Sequence, residues 1–216
     1  MSTLFTQALD KSRLEVYGKL KEFSDGFVLA GGTALMLQIN HRKSFDFDLF
    51  TERKLSKKLL PKAREIFGKD INVQVDNEDF LLFTTNDGVK LDFVNYPYPR
   101  LHQVITNNPI SLFAVEDIAT NKAHAIGRRS TWRDYVDIFF ILKMKLDSLE
   151  KIIGEAKTRF GGEFNEKLFL EQLVYFKDLD MLPIDFLQEE YTTTQIQDFL
   201  QEEVEKYSQS RLLPEE

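Results

Sequence analysis

Every stretch with strand-like alternation lies before residue 95, and after residue 109 the chain reads as helix throughout. The change falls across two proline-bearing segments, NYPYPR (95–100) and TNNP (106–109). This division constrains the fold more than any other feature. It calls for an α+β arrangement, a small mixed sheet followed by a helical C-terminal part. The expected boundary gives an α/β core over 1–106 and a helical domain over 107–216. With 216 residues, 43% of them hydrophobic, the chain can bury one substantial core, or a core plus a helical addition. Nineteen phenylalanines make that core aromatic-rich.

In the front half, FVLA (27–30) reads as a short buried strand and 45–50 as an alternating one. Three more strands are expected at 71–76, 79–85 and 89–95, the last two joined by an NDG hairpin turn. Helices are expected at 8–23, 33–39 and 55–67, then at 115–128, 132–145, 148–159, 165–176 and 184–205. Asn40 suits the left-handed residue that ends a helix. The absence of cysteine excludes disulfides, thiolate metal sites and cysteine nucleophiles. A formal charge of −7 argues against non-specific nucleic-acid binding through the global field, though not against a local basic patch. The N-terminus has no leader pattern and no run reaches the roughly 18 apolar residues of a membrane span, so a cytoplasmic location without a membrane partner is expected.

The chemistry concentrates in SFDFDLF (44–50). On a strand, Asp46 and Asp48 share one face, while Phe45, Phe47 and Leu49 share the other. Two carboxylates about 7 Å apart repel by about 2.5 kcal/mol at an effective dielectric near 20. A divalent cation between them would turn that repulsion into a site. The same pattern also fits an amphipathic strand whose polar face is simply wet. Upstream, LAGGTALML is a strand, a tight glycine turn and a helix start. Gly31 and Gly32 let the backbone pass close to a ligand, and the helix N-terminus favours an anion. Thr33 can cap the helix or hold a phosphate oxygen. An ordinary strand-to-helix turn would look the same. In VKLDFVNY, Asp92 is a lone acid among apolar residues, with Lys90 and Val94 on its face. It is costly to bury unpaired; it makes sense as a third metal ligand and possible general base, or as a solvated residue on an edge strand.

Lys122 and Arg129 are seven residues apart, nearly two helical turns, and with Arg128 and Arg133 they make a basic island in an acidic chain. It could grip a triphosphate or be a solvated face. Thr131–Asp134 has the form of a capping box, and Arg133 with Asp137 that of an i, i+4 surface pair.

As a set, GGTALMLQINHRKSFDFDLF, VKLDFVNYP and VEDIATNKAHAIGRRSTWRDYVDIFFIL resemble the motifs of the nucleotidyltransferase superfamily, in the form found in the AbiEii/AbiGii toxin family. The resemblance covers about residues 27 to 142. It implies a polymerase-beta-like core, with the helical domain contributing to the active-site cleft. It implies Mg2+ or Mn2+ on Asp46, Asp48 and Asp92, and an NTP whose phosphates meet Gly31, Gly32, Thr33, Arg42, Ser44, Lys122 and Arg129. Arg133, Asp134 and Asp137 would orient these groups. The acceptor would be a hydroxyl of RNA, such as a tRNA end, or of a protein. The setting would be a toxin–antitoxin or abortive-infection system whose antitoxin carries a DNA-binding domain. Two other readings share some of these features: a non-catalytic NTP-binding or interaction module, and a DxD glycosyltransferase.

Overall fold

The computed structural model describes residues 4–126, 128–129 and 131–212. The chain divides into two compact units, Met1–Ala114 and Val115–Glu216. In the first, the described residues form helices α1 (Lys11–Lys19), α2 (Gly31–Ile39) and α3 (Leu59–Phe67) and strands β1 (Val28–Ala30), β2 (Phe47–Thr51), β3 (Asn72–Asp76), β4 (Phe80–Thr84) and β5 (Lys90–Asn95). The strands make one mixed sheet in the order β1-β2-β5-β4-β3. Only β2 and β5 run parallel; the other neighbours are antiparallel. The NDG turn joins β4 to β5, with the Thr85 N–H and Val89 carbonyl closing it and Gly88 at φ 78°.

Alternation along β2 and β5 sends Phe47, Leu49, Leu91 and Phe93 into the core, all fully buried. Phe93 packs against Phe23, Phe27 and Phe83 at 4.9, 5.0 and 6.0 Å between ring centres, and Phe67 completes the cluster against Phe23 and Phe83. Such offset and edge-on pairs add to the area buried. The opposite face of the same two strands is left for polar groups. Phe45 does not join the core face as the alternation suggested. The strand begins at Phe47, and Phe45 lies half-buried in the preceding loop beneath the Arg13 guanidinium, 5.0 Å from its ring centre. Helix α2 is buried nearly all round, so its start is fixed in space by packing. It ends at Asn40 in the left-handed conformation, φ 53° and ψ 37°.

Residues 107–114, placed with the helical part on sequence grounds, belong to the first unit. The Leu29 N–H donates to the Ser111 carbonyl and the Phe113 N–H to the Leu29 carbonyl, so this segment runs along the free side of β1.

The second unit contains α4 (Val115–Ile126), α5 (Trp132–Lys143), α6 (Leu149–Phe160), α7 (Glu166–Leu173) and α8 (Thr193–Leu212). Residue 127 of the expected 115–128 helix lies outside the described residues. Helix α5 is buried from Trp132 to Leu142 apart from Arg133, and is the centre of this unit. The last helix begins nine residues later than its expected start at 184, because Thr192 and Gln195 form the capping box. The Gln195 N–H donates to Thr192 Oγ1 at 3.2 Å and the Thr192 N–H to Gln195 Oε1 at 2.8 Å. Phe186 and Tyr191, ahead of it, pack as rings on Phe140. No helix among the described residues is long and apolar enough to cross a membrane.

Candidate active site

The parallel register of β2 and β5 sets Asp48 directly beside Asp92. Asp46 lies one residue before β2, and the register carried one step back sets it level with Lys90. Three acids and one lysine therefore occupy adjacent positions on the polar face. Lys90 Nζ donates to Asp92 Oδ2 at 2.6 Å, while Asp92 Oδ1 is buried without a hydrogen-bond partner. Partial burial works against the Lys90 charge. The hydrogen bond to Asp92 and the fields of Asp92, Asp46 and Asp48 outweigh it and hold the ammonium above the usual lysine value.

The glycine turn fits against this corner. Gly31 has φ 68°, and a Cβ built on it would lie 2.0 Å from Asp48 Oδ2. A Cβ on Gly32 would lie 2.9 Å from Ser44 Oγ and 3.0 Å from an Arg42 guanidinium nitrogen. The turn is glycine because the side chains of Asp48, Ser44 and Arg42 occupy the space. Helix α2 starts at Gly31 itself, and no side chain caps it, so its first N–H groups face the same corner uncapped by the protein's side chains. Replacing Gly31 by alanine should therefore cost both backbone strain of about 1–2 kcal/mol and the position of Asp48. We expect at least about a tenfold loss of transfer activity in Gly31→Ala. Gly18→Ala, in α1 with nothing within 4 Å of the new methyl, should instead stabilise slightly. Parallel activity assays and thermal melts of the two proteins check this contrast.

Five contacts fasten the loop that carries Asp46. The Thr33 hydroxyl bonds to the Asp46 carbonyl at 2.5 Å and lies 3.0 Å from Ser44 Oγ. Arg13 Nε donates to the Phe45 carbonyl at 2.9 Å. The Ser44 N–H reaches the Met36 sulfur at 3.3 Å. Arg42, 2% exposed, donates to the Lys43 carbonyl at 2.9 Å. Thr33 is 1% exposed and lies inside the helix, so it is a buried tie to the carboxylate loop and not the cap.

These residues fit a divalent ion. The orphaned, buried Asp92 oxygen is a ligand atom without a partner, and a lysine ammonium stands among the acids as a cation would. Among the described residues no three His, Asp or Glu side chains form a ready-made cage.

Farther along the polar face, the ends of β2 and β5 open into a cleft of about 210 Å³ walled by Phe50, Tyr96, Tyr98, Phe113, Arg53 and Arg100. Phe50 and Tyr96 stack at 4.5 Å. The prolines of NYPYPR marked only a break in the sequence; here they carry the tyrosines of this wall.

In the second unit Lys122, Asp134, Asp137 and Arg129 form a compact ion cluster. Lys122 Nζ lies 2.6 Å from both Asp134 Oδ1 and Asp137 Oδ2. Arg129 meets Asp134 with two nitrogens, at 2.8 and 3.1 Å. Burial pushes the Asp134 carboxyl up, but the Lys122 and Arg129 charges win and hold it below the usual carboxylate value. Two expectations change. Asp134 is not a cap, since Thr131 is the N-cap residue and makes no side-chain cap bond. Asp137 is fully buried on Lys122 and so is not half of a solvated surface pair. Arg129 lies beyond the end of α4, so it meets Lys122 through Asp134 and not through a shared helix face. A second buried pair, Arg159 on the Asp117 carbonyl and Thr120 hydroxyl at 2.8 Å each, ties α6 to α4 and carried no local sequence signature.

The model of the AbiEii family, described as a nucleotidyl transferase toxin of a type IV toxin–antitoxin system, matches residues 17–209. An uncharacterized protein of Aquifex aeolicus is 33% identical over 159 residues, covering 70% of this chain and 74% of its own. Among solved structures, a putative nucleotidyltransferase from H. pylori is similar with a TM-score of 0.59 and 18% identity, over 96% of this chain and 100% of that one. The nucleotidyltransferase toxin MenT4 from Mycobacterium tuberculosis is similar with a TM-score of 0.56 and 12% identity, over 92% and 82%. The mixed sheet with its glycine turn and carboxylate pair, and the match along nearly the whole chain, place it in one family: it belongs to the AbiEii nucleotidyltransferases.

Proposed function

We propose that the chain transfers a nucleoside monophosphate from an NTP to a hydroxyl of RNA or protein, with magnesium or manganese, as the toxin of a toxin–antitoxin pair. The observation that carries this is the Asp48–Asp92 pairing, with the uncapped glycine turn touching Asp48 and one Asp92 oxygen buried and unpartnered. Asp46, Asp48 and Asp92 are assigned as the metal ligands. When bound there, the metal would supply positive charge against the triphosphate. The N–H groups at Gly31 and Gly32 receive phosphate oxygens. Arg42, Ser44 and Thr33 hold the loop so that Asp46 keeps its position. The free lone pairs of Asp92 Oδ1 are available to orient the attacking hydroxyl or accept its proton.

Arg129 is assigned as the phosphate-facing cation of the second unit, because its side chain is 59% exposed while Lys122 is 7% exposed and already held by two carboxylates. Lys122, Asp134 and Asp137 then act by positioning Arg129; Arg133 lies on the same helix. The first unit is taken as the catalytic core. The aromatic and arginine cleft suits a stacked base of the nucleotide or of an RNA acceptor. The complete acid set favours an enzyme over a bare binding module, and the helix-borne phosphate turn beside it favours nucleotidyl over glycosyl transfer.

The test is incubation of the protein and Mg2+ with each labelled NTP and either total tRNA or cell lysate. Label moving into RNA or into a protein band is expected and would name nucleotide and acceptor together. No transfer in any mixture, with no NTP binding by calorimetry, would overturn the reading.

A further inference from the structure

Lys90 is the one residue of the polar corner to which the nucleotidyl-transfer chemistry gives no work. Its position is nevertheless specific. It shares the β5 face with Asp92, two residues on, and lies level with Asp46 across the parallel pair. Its ammonium bonds Asp92 at 2.6 Å and leaves the other Asp92 oxygen bare. The side chain is 41% exposed, whereas that of Asp92 is 15% exposed, so the lysine is the more open to solvent of the two.

Three carboxylates on one sheet face carry three negative charges when no metal is present. Without a counter-ion the face would repel itself, and central strands have no freedom to move apart. A lysine on a flexible stem supplies one positive charge and withdraws without disturbing the backbone. A fixed cation there would repel an arriving divalent ion, so the lysine must release Asp92 as the ion binds. We propose that Lys90 is a resident counter-ion of the carboxylate corner, holding Asp92 while no metal is bound and yielding it to the incoming ion. The inference rests on the metal-dependent reading of the same site. It makes Lys90 a positioning residue that sets the metal concentration at which the enzyme becomes competent.

The test uses the full chain without nucleotide and reads Mn2+ binding by calorimetry, with thermal melts in EDTA and in Mn2+. Lys90→Met and Lys90→Gln remove the charge; Lys90→Arg keeps it. The uncharged variants should bind Mn2+ about tenfold more tightly than the native protein, because a nearby like charge has been removed. They should also melt earlier in EDTA and recover in Mn2+. Lys90→Arg should stay within about twofold of the native affinity, since its charge is retained. Unchanged or weaker Mn2+ binding by both uncharged variants, with native binding intact, overturns the role of Lys90 alone. If neither native nor variant protein binds Mn2+, the metal-dependent reading and the counter-ion fall together.

Discussion

Asp92→Asn protein should fold normally and transfer nucleotide at no more than about one-thousandth of the native rate. The change keeps shape and removes one charge from the strand face that carries Asp48 and Asp92 side by side. Asp92 sits on an inner strand, paired on one side with Asp48 and on the other with Leu82, so the backbone has no reason to shift. The lost carboxylate takes with it the buried, unpartnered oxygen proposed as metal ligand and base. Stability should hold or rise by up to about 1 kcal/mol, since like charges are being separated and residues kept for function commonly cost stability. Steady-state label transfer and a thermal melt on the same preparation decide the matter. A variant that keeps more than a tenth of native activity would remove Asp92 from the mechanism.

The second large effect belongs to the buried ion cluster. Asp134→Ala strips Lys122, 7% exposed, of one carboxylate while Asp137 stays, and removes both hydrogen bonds to Arg129. Losing charged hydrogen bonds in a buried cluster that keeps the Lys122–Asp137 pair should cost about 1.5–3 kcal/mol, which a urea midpoint will show. Replacing Lys122, Asp134 and Asp137 together by Met, Leu and Leu should recover most of that loss, because a buried ion cluster is often matched by apolar residues of similar volume. Transfer activity should not return, since Arg129 would lose its hold. Recovery of both would mean that the cluster serves stability alone. The pH dependence has a definite sign. The folded-state carboxyl of Asp134 is held below its ordinary value, so its contribution is complete above about pH 4 and is lost as pH falls through the folded value.

What was legible in the sequence was local. The Asp46–Asp48 spacing, the glycine turn, the NDG hairpin and the left-handed Asn40 each reside in a few consecutive residues whose conformations are steric or periodic consequences. What was not legible needed long-range pairing. Asp92 was expected to join Asp46 and Asp48, but nothing near Asp48 gives the register that pairs it with residue 92, because a helix and two strands lie between them in the chain. The work of Lys90 follows only from that register. Asp134 and Asp137 were open to misreading for a related reason. Thr-x-x-Asp and Arg-x-x-x-Asp are common surface patterns, and only the packing of α5 shows both acids buried. The late start of α8 was missed because Ile184, Phe186 and Leu187 imitate a helical stripe, while the Thr192–Gln195 reciprocal bonds stop any earlier entry.

The covering of β1 by residues 111–113 has a consequence for recognition. A partner that binds by adding a strand needs a row of main-chain groups at the rim of a sheet. At the β1 rim the chain already supplies its own, through Ser111 and Phe113 on Leu29. Among the described residues the opposite rim is β3, with Asn72, Gln74 and Asp76 exposed along it. A protein that grips this sheet by its backbone is thus directed to β3, two strands from Asp92 on β5 and three from Asp48 on β2, and need not cover the polar corner.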